Sequence, residues 1–431
     1  FEKGLNIEPT NCLLKLGILK TLTITCDWNY LNIKLKWLKT IGLKDIAIEP
    51  WSLLVLEDNS LNEFNRAKLY FKNNCQLKQR KIKLKVKTKI KVGYFSNNFR
   101  LHSSMVLFAR VIELHNKDEF EIFCYDFGEH PEDVYTRRIK NAVSNYRVVK
   151  ELNNKDLVSL AIEDGLDIGI DLMGYTAGNR AKIFYERIAP IQINFLDWHC
   201  TTGNPAMDYI VADKNLITEC DEKFYTEKII YMNYSHLPTD DTLLPSNTIY
   251  TREELGISKD SFVFCSFANS RKIQYKEFSI WMNLLLNKTN SILWLLEVNS
   301  LARANILKEA NRRGVNSSRI IFSKKIGLQD HMSRQTCADL MLDTLNFSAG
   351  TMAILALKSG LPILTLSGKS FSSRMTASIL KSLGLQELVS YDLNEYELKA
   401  KILSERKMDI IKLKEKIISL NDTSPYFNSK R

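Results

Sequence analysis

The sequence has no long apolar run, which excludes a membrane protein built from spanning helices. A helix that crosses a bilayer needs about 18 or more consecutive, mostly apolar residues. The longest interior run of this 431-residue chain is about the length of Ser291 to Val298. We therefore predict globular domains without a membrane span. Apolar residues at 45% and charged residues at 25% fit that class, and the chain length favours two or three domains.

Motifs for cysteine pairing and metal binding are also missing. The eight cysteines show no CxxC pair and no spacing typical of a zinc site or a disulfide framework, so we expect reduced thiols and a cytoplasmic location. No Asp-x-Asp motif follows an apolar run, since Asp240 and Asp241 lie in a polar linker. We therefore predict neither a required metal nor another bound cofactor.

Positive charge is concentrated in one stretch. Of the 60 Lys and Arg residues, eight lie between Cys75 and Val92, where no acid occurs. They alternate with apolar residues from Ile82 onward, a period of two that is typical of a strand with one solvated face. Edge strands often carry Lys to prevent unwanted pairing. A nucleic-acid site is the alternative, but it would need aromatic stacking residues that this stretch lacks, so no nucleic-acid partner is expected.

The chain opens with helical patterns. The segment FEKGLNIEPTN resembles the second helix of a tetratricopeptide repeat with its terminal Pro, and we assign residues 1–20 to a repeat remnant. An ordinary amphipathic helix is the alternative. Since the chain starts at Phe1 rather than Met, and stacked repeats bury one another, we expect an upstream array. Residues 21–89 are predicted to be a helical connector followed by the basic strand.

From residue 90 short, β-rich apolar runs alternate with helical patterns, which favours parallel sheets covered by helices. The first series is IKVGYFS, FEIFCYDF, DIGIDLMG, IQINFLDW and MDYIVAD, and the second is FVFCSFA, SILWLLEV, RIIFS, DLMLDT and LPILTLSG. We predict an N-terminal lobe over 90–245 and a C-terminal lobe over 246–390, both Rossmann-like, facing one another across a cleft. Residues 391–431 should form helices and a frayed tail. In such sheets ligands lie beyond the carboxyl ends of the strands.

Five motifs carry a resemblance to a known family. They are VGYFSNNFRLHS, IDLMGYTAGNRAKIFYERIAPIQINFL, MDYIVADK, FCSFANSRKI with the later WLLEV, and RIIFSKKIGLQDHMSRQTCADLMLDTLNFSAGT. Their order and spacing over about residues 91–385 resemble the catalytic region of the O-linked N-acetylglucosamine transferase and SPINDLY family. The resemblance implies an α/β fold of the glycosyltransferase B type, with two Rossmann-like lobes preceded by a short helical segment. It also implies a glycosyltransferase with a nucleotide-sugar donor and acceptor proteins as partners.

Charge that develops on a departing diphosphate calls for cations or oriented N–H groups. Lys272, in the loop after FVFCSFA, matches the lysine that contacts the donor phosphates in the family, and Asn269 lies in the same loop. We expect an exposed lysine in the cleft, and a solvated surface lysine without a role is the alternative. Gly350 and Thr351 should open a helix whose N–H groups meet the diphosphate, with a plain helix cap as the alternative.

Two further pairs of residues follow from the motifs. His331 and Arg334 match the family's H-x-x-R pattern for contacts near the nucleotide, and a satisfied surface pair is the alternative. A base helps to remove the proton of the acceptor hydroxyl in the transition state. His102, in the loop after VGYFS, is the leading candidate, and Asp171, which ends the run DIGID, is a competing candidate or a partner in a proton chain. A buried, hydrogen-bonded histidine and a helix-capping aspartate are the alternatives.

The chain departs from the family in three places. The family's G-Y/F-P-G-T-T-G loop reads DWHCTTG over residues 197–203, which removes two glycines and a proline and reduces backbone freedom. Leu355 stands where relatives carry an acid that meets the ribose hydroxyls. Residues 233–236 (NYSH) replace the usual proline-led turn. The identity of the donor therefore stays open.

The leading hypothesis is an inverting enzyme that moves N-acetylglucosamine from UDP-N-acetylglucosamine to Ser or Thr hydroxyls of proteins, a hexosyltransferase reaction. The same mechanism with another donor, GDP-fucose or UDP-glucose, is the first alternative, because the loops are altered. A catalytically degenerate binding or scaffold protein is the second. Leu355 motivates it, whereas the retained Lys272, His102 and Arg334 argue against it.

Overall fold

The computed structural model describes residues 1–44, 46–74, 82 and 88–430. The chain folds into two compact units, each with its own parallel sheet. The seven-strand unit comprises Gly42–Trp51, Asn59–Thr242 and the residues from Asn428, and the six-strand unit comprises Phe1–Ile41, Ser52–Asp58 and Leu243–Phe427. The predicted division into five segments stays a prediction. A basic strand was predicted within residues 75–92. Of these, residues 75–81 and 83–87 lie outside the described residues.

Three helices open the chain and belong to the six-strand unit: α1 (Glu2–Ile7), α2 (Cys12–Ile24) and α3 (Trp28–Lys34). The indole N–H of Trp28 donates to the carbonyl of Ile273 at 3.0 Å. The Trp28 ring also lies 4.6 Å from the ring of Phe278. The helical segment predicted to precede the sheets is therefore present, and α3 packs against residues that follow the first strand of this unit.

The sheet of the seven-strand unit has the order β3-β2-β1-β4-β5-β6-β7, with all neighbours parallel. Its helices are α4 (Ser60–Asn74), α5 (Ser103–Glu113), α6 (Val134–Ala142) and α7 (Asn154–Asp164). Its strands are β1 (Ile90–Ser96), β2 (Phe120–Asp126), β3 (Asn145–Val148), β4 (Ile168–Asp171), β5 (Ile191–Asn194), β6 (Tyr209–Ala212) and β7 (Lys228–Tyr231).

The sheet of the six-strand unit has the order β10-β9-β8-β11-β12-β13, again parallel throughout. Its strands are β8 (Phe262–Ser266), β9 (Ser291–Leu296), β10 (Ile320–Ser323), β11 (Leu340–Leu342), β12 (Ile363–Leu366) and β13 (Val389–Ser390). Its further helices are α8 (Tyr275–Asn287), α9 (Ser300–Arg312), α10 (Leu328–Gln335), α11 (Thr351–Lys358), α12 (Phe371–Ser382), α13 (Leu393–Glu405) and α14 (Lys407–Thr423).

Burial explains why the strands could be predicted as apolar runs. Parallel strands that are covered on both faces lack the alternation of half-exposed strands. All five residues of β8 and the last five of β1 are buried. Each apolar run predicted to be a strand contains one, which confirms these predictions. Two strands were not predicted: β3, which is polar and only half-buried, and β13, which has two residues.

The C-terminal end differs from its prediction. The helices α13 and α14 confirm the predicted helical pattern, but the tail that follows is not frayed. Pro425–Phe427 form a short 3-10 helix whose two aromatic side chains are buried. The Ser429 hydroxyl donates to the Thr239 carbonyl at 2.7 Å and accepts from the Asp241 N–H at 2.8 Å. Aromatic burial and these two hydrogen bonds hold residues that the sequence analysis treated as solvated.

Two predictions about class can be compared with the described part of the chain. No helix in that part is both long and apolar enough to cross a membrane. Seven of the eight cysteines fall within it, and each is a free thiol. Burial raises the pKa of the Cys26 thiol to about 12, which makes this thiol unreactive near neutral pH.

Candidate active site

Both sheets reverse their strand order once, and the predicted site residues follow the strands beside these reversals. The order turns between β1 and β4 in the seven-strand unit and between β8 and β11 in the six-strand unit. At such a switch point the loops leave the carboxyl edge in opposite directions and open a crevice for a ligand. His102 follows β1 and Asp171 ends β4, whereas Lys272 follows β8 and Thr351 follows β11. Each unit therefore brings candidate residues to its own switch point.

His102 precedes the first residue of α5 and occupies the N-cap position of that helix. Its backbone is extended (φ −138°, ψ 156°), and Nδ1 lies 3.3 Å from the backbone nitrogen of Ser104. The same Nδ1 lies 2.7 Å from the Ser104 hydroxyl oxygen. Helix caps are usually Ser, Thr, Asp or Asn, so a histidine in this position is uncommon. These contacts fix the half-buried imidazole relative to the first turn of α5.

Asp197 lies next to Ser104, and the sequence analysis treated it only as part of an altered loop. The Ser104 hydroxyl oxygen is 2.8 Å from Oδ1 and 2.6 Å from Oδ2, and Asn98 Nδ2 donates to Oδ2 at 3.4 Å. Burial raises the pKa of Asp197 to about 6; these hydrogen bonds oppose the shift and the charge of Asp171 adds to it. The available signal was an acid directly after the apolar run IQINFL.

Asp171 is almost completely enclosed, at 2% exposure. Its Oδ1 accepts the N–H groups of Met173 and Gly174 at 2.9 and 3.0 Å. Within the described residues nothing hydrogen-bonds to Oδ2. Burial raises the pKa of this carboxyl group to about 6. Such enclosure favours the second of its predicted roles, a partner in a proton chain, over direct contact with an acceptor.

Lys272 ends a short 3-10 turn after β8 and packs on the loop after β11. Its Nζ lies 4.1 Å from the centroid of the Phe347 ring and donates to the Ser348 carbonyl at 3.4 Å. The expectation of an exposed lysine is wrong, because this packing leaves the side chain half-buried. Burial lowers the pKa of Lys272 to about 7; Asp343 partly opposes that shift and Arg271 adds to it. Near neutral pH an anion that binds beside this amine would raise its pKa and cause it to take up a proton.

The loop between β11 and α11 is organised by Asp343, which the sequence analysis missed. One carboxylate oxygen accepts the Ala349 N–H at 2.9 Å and the other accepts the Thr365 hydroxyl at 2.7 Å. Gly350 then precedes α11, and Thr351 is its first residue. Gly350, in the N-cap position, has no side chain that could cap this helix. Its N-terminus therefore presents backbone N–H groups of the kind that bind phosphate.

His331 and Arg334 form a pair inside α10. Arg334 Nε donates to His331 Nδ1 at 3.0 Å, and Nη1 donates to the Lys324 carbonyl at 2.9 Å. Nothing in the described part of the chain accepts from Nη2, although Arg334 is only 3% exposed. Burial, with Arg334 as a further cause, lowers the pKa of His331 to about 4. A buried guanidinium with a donor to spare fits the predicted nucleotide contact and disfavours a surface pair.

Two other predicted features of the donor side differ in their burial. Asn269 is exposed and caps its own turn, since its side-chain oxygen accepts the Arg271 N–H at 3.2 Å. Leu355, by contrast, is 1% exposed within α11. Leu355, where the resemblance implies an acid, is therefore enclosed within this unit. This chain supplies no carboxylate at that place for a ribose.

The altered loop at residues 197–203 keeps the one glycine that its backbone requires. Gly203 has φ +63°, and a Cβ there would lie 2.7 Å from the backbone nitrogen of Lys68. The Thr201 hydroxyl and the Thr202 N–H both donate to the Glu227 carboxylate. The loss of two glycines and a proline is thus compensated by hydrogen bonds that fix the rest of the loop.

Comparison with known proteins shows to which family this chain belongs. The model of the family "Glycosyl transferase family 41" matches residues 60–244 and 238–431. The chain belongs to glycosyl transferase family 41. The predicted resemblance is confirmed, and the predicted enzyme class, a glycosyltransferase, is confirmed at the level of the family.

Family 41 relatives are much longer than this chain. SEC of Arabidopsis thaliana, named a probable UDP-N-acetylglucosamine–peptide N-acetylglucosaminyltransferase, is 28% identical over 80% of this chain and 36% of its own length. The enzyme of that name from Caenorhabditis elegans is 24% identical over 72% of this chain and 36% of its own length. SPINDLY of Hordeum vulgare is 27% identical over 71% of this chain and 33% of its own length. The chain spans about a third of the length of these relatives.

A solved structure supports the fold of this family 41 chain. A mutant of the Thermobaculum terrenum O-GlcNAc transferase aligns with a TM-score of 0.85 and 22% identity, covering 100% of this chain and 84% of that one. At that identity the likeness establishes the fold alone. Together with the two parallel sheets it confirms the predicted α/β fold with Rossmann-like units of the glycosyltransferase B type.

Proposed function

We propose that this family 41 chain is the catalytic region of an inverting transferase that moves N-acetylglucosamine from UDP-N-acetylglucosamine to Ser or Thr hydroxyls of acceptor proteins. Relatives that carry this activity in their names support the proposal. The observation that carries it within the chain is the position of Lys272 at the switch point of the six-strand unit, beside the loop that leads to the N-terminus of α11.

Lys272 serves the departing diphosphate in this proposal. An arriving diphosphate raises the pKa of the half-buried amine, so Lys272 becomes a full cation where negative charge will grow. Gly350 and Thr351 add backbone N–H groups at the start of α11. Arg334 uses its spare donor on the nucleotide with His331 behind it, and Asn269 lies at the edge of the same site.

His102 serves the acceptor in the proposed reaction. The acceptor oxygen forms a bond to the anomeric carbon from the face opposite the diphosphate, the bond to the diphosphate breaks, and the configuration inverts. His102 takes the hydroxyl proton as this occurs. Asp171 acts as a partner in proton transfer without contacting the acceptor directly, which agrees with its enclosure.

The donor is the open part of the proposal, because the loops at residues 197–203 and 233–236 depart from the pattern that the resemblance implies. GDP-fucose and UDP-glucose are therefore the alternative donors. A protein that binds nucleotide without turnover is the alternative from another class, and Leu355 motivates it. We also propose a cytoplasmic location, which free thiols such as Cys26 support. Turnover without a metal is proposed as well, since Lys272 and Arg334 can supply the positive charge that a metal would supply.

The deciding experiment incubates the purified chain with each of the three nucleotide sugars and a Ser/Thr-rich peptide. Nucleotide release and peptide mass are measured together. We expect release and a mass gain of one N-acetylhexosamine with UDP-N-acetylglucosamine, undiminished by EDTA. Transfer with another donor alone would correct the donor, loss in EDTA would contradict metal independence, and binding of UDP without any transfer would support the non-catalytic alternative.

A further inference from the structure

Three side chains of the seven-strand unit form a continuous hydrogen-bonded row that we call the carboxylate relay: His102, Ser104 and Asp197. The Ser104 hydroxyl oxygen lies 2.7 Å from His102 Nδ1 and 2.6 Å from Asp197 Oδ2. Ser104 is 3% exposed in the first turn of α5, and Asp197 follows β5. Residues separated by 93 positions in the chain are thus brought to the switch point and into line with the candidate base.

The direction of the hydrogen bonds follows from counting protons. An ionised carboxylate can only accept, so the single hydroxyl proton of Ser104 must be donated to Asp197. The Ser104 oxygen then has only lone pairs to offer His102 at 2.7 Å. Nδ1 must therefore carry a proton, and in a neutral imidazole the lone pair is on Nε2. The ionised relay selects one tautomer of the histidine.

Two longer contacts suit the opposite tautomer, one from the Ser103 hydroxyl, whose oxygen lies 3.5 Å from Nδ1, and one from a backbone N–H. The backbone N–H of Ser104 points at Nδ1 from 3.3 Å, which would suit a lone pair on that nitrogen. These two contacts, at 3.3 and 3.5 Å, are longer than the two bonds of the relay, at 2.7 and 2.6 Å, one of which is assisted by a full charge. The relay therefore prevails while Asp197 is ionised. A protonated Asp197 would donate to Ser104, turn the hydroxyl toward Nδ1 and leave the proton on Nε2.

We propose that Ser104 and Asp197 are positioning residues that hold His102 in the tautomer with its lone pair on Nε2 and stabilise the imidazolium formed during transfer. This inference rests on the proposed function of His102 as base. In the reaction Nε2 takes the proton of the acceptor hydroxyl while the new C–O bond forms and the bond to the diphosphate breaks. The Asp197 carboxylate, acting through Ser104, then lies behind the new positive charge.

The backbone around Asp197 is built to present this carboxylate. Leu196 has φ +79°, a left-handed conformation that is strained for a residue with a large side chain. Asn98 Nδ2 gives Asp197 a second donor at 3.4 Å, and Asp171 is the other acidic group that acts on it. The carboxylate relay therefore depends on the acid at position 197.

The kinetic test replaces Asp197 by asparagine, a group of the same shape whose amide can donate to Ser104. When the amide donates, the hydroxyl turns to Nδ1 and the proton moves to Nε2, and the negative charge behind the imidazolium is lost in either orientation of the amide. We expect kcat to fall about 100- to 10,000-fold, the usual contribution of a positioned base, with KM for the donor unchanged. The kcat of Ser104→Ala should fall by a similar factor, whereas Ser104→Thr, which keeps a hydroxyl, should restore most of the parental rate. The double variant Asp197→Asn with Ser104→Ala should have a kcat no lower than that of either single variant.

The matched control is Asp118→Asn, which removes an exposed carboxylate of the same unit and should keep the parental rate. The pH profile separates positioning from folding. The parent should lose activity as pH falls, because protonation of Asp197, whose pKa burial raises to about 6, turns the Ser104 hydroxyl toward Nδ1 and because protonation of His102 removes the base. In Asp197→Asn the acid limb of the small remaining activity should move to lower pH, because the imidazolium of His102 then lacks the carboxylate that stabilises it. A parental kcat and pH profile in Asp197→Asn would overturn the proposal, as would failure of Ser104→Thr to restore the rate.

A measurement without substrate distinguishes this proposal from the proposed function. In protein labelled with nitrogen-15 at histidine, imidazole chemical shifts report which ring nitrogen carries the proton, and His102→Gln assigns the signals. At pH 8 we expect the Nδ1–H tautomer in the parent and the Nε2–H tautomer in Asp197→Asn. The Nε2–H tautomer in the parent would overturn the relay. A chain that shows the expected tautomers but transfers no sugar would refute the proposed function alone.

Discussion

Replacing Lys272 by methionine should change two properties in opposite directions. Methionine keeps much of the length of the side chain and its contact with the Phe347 ring, but it removes the amine whose pKa burial lowers to about 7. Turnover should fall because the departing diphosphate loses a cation. The ligand-free protein should become more stable near neutral pH, because the folded state no longer has to bury a charge that the unfolded chain leaves in water.

The size of the stability change follows from the pKa. An unfolded lysine titrates near 10.4, so between pH 7 and 10 the unfolded chain binds a proton that folded Lys272 releases. Stability therefore rises with pH through this group, by up to about 1.4 kcal/mol for each unit. The advantage of the Lys272→Met variant over the parent should shrink by about 2 kcal/mol from pH 7 to pH 9. The lost cation–π contact, worth about 0.5–2 kcal/mol, acts in the other direction.

The size of the kinetic change follows from the group's role. Loss of one preorganised charge-stabilising group typically lowers the rate about 100- to 1,000-fold, or roughly 3–4 kcal/mol of barrier. Arg271→Met is the matched control, since it removes the neighbouring cation of the same turn and should retain much more activity. Both variants are compared with the parent at saturating UDP-N-acetylglucosamine, and nucleotide release is followed.

Urea unfolding at pH 7 and pH 9 completes the assay. Turnover of Lys272→Met at the parental rate would show that something else stabilises the leaving group. A stability difference that does not change between the two pH values would show that the amine keeps an ordinary pKa in the folded protein. Either result would refute the reasoning about a poised, half-buried lysine.

Three further predictions concern the same two units. Binding of UDP at pH 7.5 should be accompanied by uptake of a substantial fraction of a proton, because the diphosphate raises the pKa of Lys272 from about 7. Calorimetry in buffers of different ionisation enthalpy measures this uptake, which should be absent in Lys272→Met. Arg334→Lys should weaken UDP binding about 10- to 100-fold, the usual worth of a hydrogen bond to a charged group, whereas Arg303→Lys, on the exposed face of α9, should not, as titration calorimetry would report. Gly203→Ala should destabilise the protein markedly more than Gly256→Ala, as measured by urea unfolding. Both positions have positive φ, with a strain of about 1–2 kcal/mol, but only at Gly203 would the new Cβ lie within 3 Å of backbone atoms. Equal losses of stability would contradict this account.

The fold was predictable where burial leaves a continuous record in the sequence. β8 reads as five apolar or small residues in a row because it is covered on both sides, and β1 ends in the same way. β13 has two residues, too few to show any period, and its place in the sheet comes from pairing with β12. The buried end of the chain was missed for a related reason, since two adjacent aromatic residues beside polar ones have no helical or strand period.

The site was predictable in residue type and not in environment. The motifs placed Lys272 and His102 after the correct strands, because strand order and loop position are local properties of the chain. The half-burial of Lys272 depends on Phe347, which lies 75 positions further along, and no local pattern encodes such a contact. The pairing of Ser104 with Asp197 was missed for the same reason. Long-range packing decides the pKa values on which the chemistry depends.

The division of the chain into units has a consequence for recombining family members. The chain crosses from one unit to the other five times, so neither unit is a single stretch of sequence. A gene split after Thr242 would separate Trp28 from its hydrogen-bond acceptor Ile273, and with it α1 to α3 from the sheet on which they fold. Chimeras that exchange the six-strand unit between relatives must therefore carry Phe1–Ile41 and Ser52–Asp58 along with residues 243–427, or they will inherit a core with part of its covering layer taken from another protein.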